Sequence, residues 1–274
     1  MPHALPTVSI VIPAYNEQDT IKACVLAALD QTVPANEIIV VDNKSTDDTA
    51  KIVKALQTAY PDAPIIYFQQ NDVQGLIPTR NFGLDRAQGD VVGRIDADSV
   101  LEPTWVEEVQ KAFIDPKVAA CTGPVIYYDM PLRRWGHVAD DAIRRAMIVI
   151  TRDYHLLFGS NMALRATAWE AIRDEVCRDE DDELHEDIDI SIHLHEHKLK
   201  VAYSSDMVTG MSARRIDDNP REYYNYVMRF ERTYKKHKIR NLALRAPMAV
   251  LLSAYPALKA MRMAEVRKTA NAAE

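Results

Sequence analysis

Two aspartates with one residue between them, Asp96 and Asp98, follow the apolar run of residues 91–95. A pair of carboxylates at the carboxyl end of a buried strand can hold a divalent cation against a diphosphate. Carboxylates are also common in ordinary strand-to-loop turns, where they accept hydrogen bonds from the backbone. The triplet therefore predicts a metal and diphosphate site only if other parts of the chain supply groups for the same ligand.

Short strands rich in Val and Ile alternate with helical patterns in the amino-terminal part of the chain. We predict strands at 8–13, 37–42, 65–68 and 91–95, and helices at 16–31, from a Ser45 or Thr46 cap to about Tyr60, and at 75–87. Beyond Asp98 we predict helices at 103–113, 132–151, 185–197 and 219–236, with strands at 118–128, between Gly159 and Arg165, and at 200–203. Apolar strands joined by helices imply an α/β fold with one continuous, mostly parallel sheet covered on both faces.

The composition excludes several classes of protein. A net charge of -7 argues against a general nucleic-acid binder, and 274 residues suffice for a full α/β core. Cys24, Cys121 and Cys177 are odd in number and widely spaced, so they indicate neither a disulfide framework nor a zinc site. A cytoplasmic location fits best, because the sequence shows neither a secretory signal nor a stretch long enough to span a membrane.

The carboxy-terminal part is basic and then uncharged. Bases outnumber acids from Arg214 to Arg245, and residues 246–258 carry no charge. This pattern suits peripheral contact with the anionic inner face of the cell membrane. Packing against the chain's own domain, or against a partner, also explains this pattern. The sequence leaves open whether the protein forms a homo-oligomer.

Six motifs occur in an order that resembles the family 2 glycosyltransferases, inverting enzymes with the GT-A fold. They cover 8–17 (Val-Ser-Ile-Val-Ile-Pro-Ala-Tyr-Asn-Glu), 39–49, 79–83, 96–98, 159–161 and 186–187. The resemblance extends over roughly residues 7 to 215. It implies transfer of a sugar from a UDP- or GDP-type donor to a hydroxyl of a glycan or lipid-linked acceptor. One departure is Asn43, where many relatives carry a second Asp.

The resemblance implies a donor site at the carboxyl ends of the strands. Its expected donor-binding residues are Pro13, Ala14, Tyr15, Glu17, Asp42, Arg80, Asp96 and Asp98, with Arg214 and Arg215 closing on the diphosphate. The backbone at Ala14 and Tyr15 and the Asp42 carboxylate would bond the base, while Arg80 would face the nucleotide. On the residues alone, Asp42 also reads as a turn cap, and Arg80 as a surface arginine paired with Asp85 or Asp90.

The same resemblance implies the reaction chemistry. Asp98 would bind Mg²⁺ or Mn²⁺, and Asp187 would take a proton from the acceptor hydroxyl as general base. Gly159, Ser160, Asn161 and Glu186 would form the acceptor side. On residues alone, Glu186 and Asp187 also suit an acidic helix start, and Gly159 to Asn161 a turn before a strand.

The expected organisation is a catalytic domain at 1–215 and a helical extension at 216–274. The catalytic domain would divide into a donor-binding half at 1–130 and an acceptor-binding half at 131–215. Two rival interpretations are a polyprenyl-phosphate sugar synthase and a catalytically silent sugar-nucleotide-binding scaffold. A sugar nucleotidyltransferase would need a glycine-rich first loop, and Pro13 to Glu17 stands in its place.

Overall fold

A computed structural model describes residues 4–151, 154–178 and 183–273 of the chain, with side chains to residue 268. The strands are β1 (Val8–Ala14), β2 (Glu37–Asp42), β3 (Ile65–Gln69), β4 (Val91–Arg94), β5 (Val100–Leu101), β6 (Val118–Thr122), β7 (Val125–Tyr127), β8 (Met162–Arg165), β9 (Lys200–Tyr203) and β10 (Thr209–Met211). The α-helices are α1 (Ile21–Leu29), α2 (Thr49–Ala59), α3 (Leu76–Leu84), α4 (Trp105–Ala112), α5 (Arg133–Thr151), α6 (Ala166–Ile172), α7 (Glu186–Glu196), α8 (Pro220–Lys236) and α9 (Ala246–Ala273). Two 3₁₀ turns span Arg214–Asp217 and Leu242–Arg245.

Seven strands form the central sheet, in the order β3-β2-β1-β4-β8-β6-β9. The first four of these are mutually parallel, and every residue of β1 and β2 is buried. Strands covered on both faces need apolar side chains at successive positions, which explains their runs of Val and Ile. Apolar clusters lie on the two faces, one with α1, α2 and α4 and the other with α3, α6 and α7. The predicted α/β class and the helix cover on both faces are confirmed.

The direction of β8 decides which loops meet at the carboxyl edge of the sheet. β8 runs antiparallel to β4, with Met162 opposite Arg94. The segment before β8, residues 159–161, therefore lies at the edge where the chain leaves β1, β2 and β4. Motifs far apart in the sequence share this edge because of that strand order.

The expectation of one continuous sheet, with a single strand at 118–128, was wrong. The segment divides at Gly123 and Pro124 into β6, in the main sheet, and β7, in a second sheet of order β5-β10-β7. Pro124 has no N–H for a strand ladder, and a side chain at Gly123 would overlap the Met207 carbonyl oxygen. The small second sheet builds one wall beside the carboxyl edge.

Two helices begin later than predicted, because long-range hydrogen bonds hold the loops before them. Asn16 adopts a left-handed conformation, with φ 53, and its backbone N–H donates to Ser45 Oγ. The Glu17 N–H donates to Thr49 Oγ1. α1 consequently begins at Ile21, and α2 begins after Asp48 rather than after the predicted Ser45 or Thr46 cap.

The carboxy-terminal helix α9 packs along the rest of the protein through residues about two turns apart. Met248 and Tyr255 are buried with residues of α8, and the Tyr255 hydroxyl donates to the Asp218 carbonyl oxygen. Arg262 pairs with Asp129 and Asp217. Among the described residues, no helix combines the length and apolar character needed to cross a bilayer.

Candidate active site

A cleft of ≈ 330 Å³ opens where β1 and β4 end. Its lining combines residues of the first, third and fourth of the six motifs with residues of the second sheet and of the segment that follows it. The residues are Pro13, Ala14, Tyr15, Glu17, Leu76, Thr79, Arg80, Asp96, Ala97, Asp98, Met211, Ser212, Arg214, Arg215 and Tyr226. Predicted donor residues from both ends of the chain therefore meet in one cavity, which is large enough for part of a small ligand.

Asp42 lies at the end of β2 and is fully buried. One carboxylate oxygen accepts the Ser45 N–H at 3.0 Å, and the other accepts the Tyr67 hydroxyl at 2.6 Å. Burial and this carboxylate raise the pKa of Tyr67, so the phenol stays a donor. The turn-capping interpretation of Asp42 therefore holds, and its contact with a base stays a prediction.

Asn43, the departure from the family pattern, has a structural reason in this chain. Its amide nitrogen donates to the carbonyl oxygens of Gln70 and Val73, and its amide oxygen accepts the Gly75 N–H. An ionised aspartate could accept but could not donate. Asn43 thus ties the end of β2 to the loop that leads into α3.

Asp98 lies with two other acidic side chains, and Arg214 reaches across them. Arg214 Nε is 2.9 Å from Asp98 Oδ2, while its two terminal nitrogens contact both oxygens of Glu17 at 2.6 and 3.0 Å. Burial, and then the neighbouring Asp96, raise the pKa of Asp98 to about 6, against the lowering effect of Arg214. The loop between β10 and α8 thereby places a cation over the acidic end of the cleft.

Arg80 links the Asp-x-Asp motif to the acidic start of α7. One terminal nitrogen is 2.5 Å from Asp96 Oδ1, and the other is 2.5 Å from Glu186 Oε1. The side chain is buried rather than on the surface, and neither Asp85 nor Asp90 is its partner. α3 positions it, because Gly83 on the same helix packs against Val11 and Val41 and so brings the helix close to the sheet.

Glu186 is held by a second arginine that is completely buried. Arg94, the last residue of β4, pairs with the same carboxylate oxygen, and its Nε donates to the Gly159 carbonyl oxygen. Burial alone would raise the pKa of Glu186, but the charges of Arg80 and Arg94 outweigh it and lower the pKa. This carboxylate therefore stays ionised inside the protein.

Asp187, the next residue, experiences the opposite electrostatic balance. Burial, and then the charge of Glu186, raise its pKa above the ordinary aspartate value. Its Oδ2 accepts the Gly159 N–H at 2.7 Å, and its side chain keeps 15% exposure. A carboxylate that is partly open and more basic than usual suits proton abstraction near neutral pH.

The acidic end of the cleft fits a divalent metal ion. Asp96 and Asp98 offer carboxylate oxygens, which Mg²⁺ and Mn²⁺ prefer. Burial, and then the negative charges of Asp96 and Glu17, raise the pKa of Asp98 even with Arg214 in contact. A cation at this position would relieve that repulsion.

The other predicted residues divide into those near the site and those that support it. Gly159 contacts both Arg94 and Asp187, and a side chain there would overlap the Arg94 guanidinium. Asn161 is fully buried and bonds Trp105, Pro124 and Met207, so the structure does not bring it to the cleft surface. Their acceptor roles, and that of half-buried Ser160, stay predictions.

Three residues of the site lie outside the six motifs. Arg94 could have been noticed as the single charge inside a buried strand. Tyr128 donates to the Asp98 carbonyl oxygen, and Tyr226 lies against Arg215 with 4.7 Å between the guanidinium and the ring centre. Tyr128 follows β7 and Tyr226 lies on α8, where the helical spacing of Tyr223, Tyr226 and Phe230 indicates a face that packs in the core or lines the cleft.

Known proteins resemble this chain in sequence and in structure. It is 36% identical over 119 residues to a chondroitin synthase of Pasteurella multocida, a match that covers 43% of this chain and 12% of that protein. It is 42% identical over 112 residues to the Escherichia coli UDP-Glc:alpha-D-GlcNAc-diphosphoundecaprenol beta-1,3-glucosyltransferase WfaP, covering 39% of this chain and 43% of that protein. The chain thus spans less than two thirds of either relative.

Among solved structures, the fold is similar to that of the Pyrobaculum calidifontis mannosyltransferase PcManGT in complex with GDP-Man and Mn²⁺. The TM-score is 0.66 at 19% identity, and the alignment covers 99% of this chain and 77% of that one. Since the likeness extends over nearly the whole chain, the predicted GT-A fold is confirmed. The sequence model for glycosyl transferase family 2 matches residues 9–173, more than half of the chain, and the protein therefore belongs to that family.

Proposed function

We propose that this protein transfers a sugar from a nucleoside-diphosphate donor to an acceptor hydroxyl, with inversion at the anomeric carbon. The observation that carries the proposal is the pair Glu186 and Asp187. These adjacent carboxylates have oppositely shifted pKa values, and Arg80 connects Glu186 to Asp96 of the Asp-x-Asp motif. Paired titratable groups whose environments separate their pKa values are typical of acid–base sites.

The donor would lie along the carboxyl edge of β1 and β2. Ala14, Tyr15 and Glu17 line the cleft there, and Tyr15 keeps 50% exposure, which leaves it available to a ligand. Arg80 and Arg214 supply planar guanidinium groups suited to phosphate oxygens. A GDP-sugar and a UDP-sugar both fit this chemistry, in line with the donors named for PcManGT and for WfaP.

Asp98 would be the direct protein ligand of Mg²⁺ or Mn²⁺, and Asp96 would face the ribose or a water bound to the ion. When bound, the metal ion would supply positive charge that stabilises the departing diphosphate. Arg214 now pairs with Asp98 and Glu17, and with the donor present its guanidinium would turn to the phosphates. The presence of Mn²⁺ in the PcManGT complex supports this assignment.

Asp187 would act as the general base. Its carboxylate takes the proton of the acceptor hydroxyl while that oxygen forms a bond to the anomeric carbon. The bond from the anomeric carbon to the diphosphate oxygen breaks in the same step, and the nucleoside diphosphate leaves with the electron pair. Attack from the face opposite the leaving group inverts the anomeric configuration.

Glu186 and Gly159 would keep Asp187 in position. The Gly159 N–H holds one carboxylate oxygen, and the Arg94 side chain fixes the Gly159 carbonyl and Glu186 together. The acceptor would approach past Gly159 and Ser160. A glycan or lipid-linked acceptor fits the family relatives, one of which acts on a diphosphoundecaprenol-linked sugar according to its name.

The test is a thermal-shift screen of UDP- and GDP-sugars with and without Mn²⁺, followed by product analysis. A ligand at a hundred times its dissociation constant stabilises the protein by about 2.7 kcal/mol, which raises the melting temperature measurably. We expect one donor class to stabilise the protein in the presence of metal, and the product to carry the inverted anomer by NMR. A retained anomer would refute the single-displacement mechanism, and no stabilisation by any donor would refute the donor site.

A further inference from the structure

Helix α5 presents a set of large apolar side chains to solvent, while Asp140, Asp141 and Arg144 face the protein. The outward side chains are Leu132, which precedes the helix, and Trp135, Val138, Ile143, Val149 and Ile150, with exposures of 66, 74, 59, 48, 76 and 51%. With about 3.6 residues per turn, these positions fall on one side of the helix and form one continuous apolar stripe. An amphipathic helix that packs only against its own domain would bury that stripe.

The inner face of α5 is fixed by polar contacts. Arg144 is buried, pairs with Asp140 and stacks on Phe158 with 4.0 Å from the guanidinium to the ring centre. Asp141 accepts the Tyr203 hydroxyl at 2.8 Å. The Asp140 carboxylate also accepts the Val125 N–H at 2.9 Å, so turning the apolar stripe inward would break the contacts of α5 with Val125, Phe158 and Tyr203.

The charges around the stripe favour an anionic partner. Arg133, Arg134 and Arg145 are exposed on α5, whereas the two aspartates of the helix are directed to the protein. The 3₁₀ turn Leu242–Arg245 packs against α5, and the loop before it carries exposed Lys238 and Arg240. Leu242 itself is 77% exposed. An apolar stripe bordered by bases is the pattern of helices that lie in the interface of a bilayer.

α5 also adjoins the acceptor side of the cleft. Phe158, which stacks on Arg144, immediately precedes Gly159, and the Gly159 N–H holds Asp187. A surface bound to α5 would thus lie close to the loop past which the acceptor approaches. By contrast, the uncharged segment at 246–258 buries Met248 and Tyr255 against α8.

We propose that α5 docks the protein on an anionic membrane surface, with the apolar stripe inserted among the lipid headgroups. The docking orients the Gly159 loop toward the bilayer, so that an acceptor anchored in lipid reaches Asp187. The docking itself is independent of the transfer chemistry. Only the choice of a lipid-anchored acceptor rests on the proposed function.

Tryptophan fluorescence tests the docking directly. Of the three tryptophans in the chain, Trp105 and Trp169 are buried at 0 and 3% exposure, while Trp135 is 74% exposed. Quenching by acrylamide in solution should therefore report mainly on Trp135. Vesicles of phosphatidylcholine and phosphatidylglycerol in equal parts should protect Trp135 from quenching by acrylamide. Lipids brominated on their acyl chains should instead quench the Trp135 emission. Trp135→Phe should remove both signals.

Charged substitutions on the stripe provide the matched comparison. Val138→Asp with Val149→Asp should lower the vesicle partition coefficient by about tenfold or more, because apolar contact with the bilayer is replaced by charge. Ile114→Asp, at 62% exposure in the turn between α4 and β6, should leave partition unchanged. Both proteins should bind nucleotide as the wild type does, since neither change touches the cleft.

Three outcomes would overturn the proposal. Trp135 could stay accessible to acrylamide with vesicles present, or the Ile114 and Val138/Val149 variants could partition alike. Trp135 could instead be protected without vesicles in a concentration-dependent manner, with a dimer in sedimentation, which would make the stripe an interface between copies. None of these measurements uses a sugar donor, so failure of the transferase proposal would be seen separately.

Discussion

Glu186 and Asp187 are adjacent and both acidic, yet neutralising each should have opposite effects on stability. In Glu186→Gln, the charge that faces Arg80 and fully buried Arg94 disappears. Removing one member of a buried ion pair leaves an uncompensated buried charge and costs about 3–5 kcal/mol. This cost is a large fraction of the total free energy of unfolding, which is about 5–15 kcal/mol for native proteins.

In Asp187→Asn, by contrast, a disfavoured charge disappears. The folded-state pKa of Asp187 is raised, so at neutral pH its ionised form costs stability, and that cost fades as the pH falls through the raised pKa. The pKa of Glu186 is lowered, so its contribution is fully present above the unfolded value and is lost as the pH falls through the folded one. The amide oxygen of Asn can still accept the Gly159 N–H. We therefore expect this variant to be at least as stable as the wild type.

Urea unfolding followed by the emission of Trp105 and Trp169 measures both variants. The midpoint of Glu186→Gln should fall by about 1 M or more, while that of Asp187→Asn should stay or rise. Arg94→Met, combined with Glu186→Gln, should recover part of the loss because the orphaned charge is gone. Equal midpoints for the wild type and Glu186→Gln would refute the electrostatic assignment, as would a comparable loss in Asp187→Asn.

Three further predictions concern the pH dependence of turnover, the affinity for metal and donor, and the packing at Gly159. Turnover should rise as the pH rises through the raised pKa of Asp187. The midpoint of the acid limb in a pH–rate profile should therefore lie above the ordinary aspartate pKa of 3.8. A midpoint at or below that value would contradict the role of burial. Without nucleotide, Arg214→Ala should bind Mn²⁺ more tightly than the wild type, because the guanidinium that competes for Asp98 and Glu17 is gone. The same variant should bind the donor roughly tenfold to a hundredfold more weakly. Calorimetry measures both affinities. Unchanged metal affinity would count against that competition. Gly159→Ala should lose about 1–3 kcal/mol of stability and most turnover by displacing Arg94. Gly136→Ala, in helix α5 with nothing within 4 Å, should be at least as stable as the wild type in melting assays and equally active in transfer assays.

The sequence allowed the central sheet to be predicted well, because most of its strands are buried. The predicted limits of β2 and β9, at Glu37–Asp42 and Lys200–Tyr203, match the structure. Continuous Val and Ile with polar turns leave few other arrangements. The start of α1 was missed, since bonds from residues 16–18 to residues 45–49 outweigh the local helical pattern.

The site was predicted as a set of motifs but not as a network. Asp-x-Asp, Arg80 and the acidic start of α7 could be named in advance, whereas the contacts of Arg94 with Glu186 and Gly159 could not. That contact depends on β8 running antiparallel beside β4, a long-range pairing that periodicity does not encode. The rotation of α5 was equally hidden, because an amphipathic pattern does not say which face the protein will bury.

The central claim is that Asp187 removes the acceptor proton. Its most direct test is the single-turnover transfer rate of Asp187→Asn, with donor affinity measured on the same protein. We expect donor binding close to that of the wild type and a rate lower by about 10² to 10⁴-fold, the usual contribution of a general base. Transfer at nearly the wild-type rate would remove Asp187 from the mechanism.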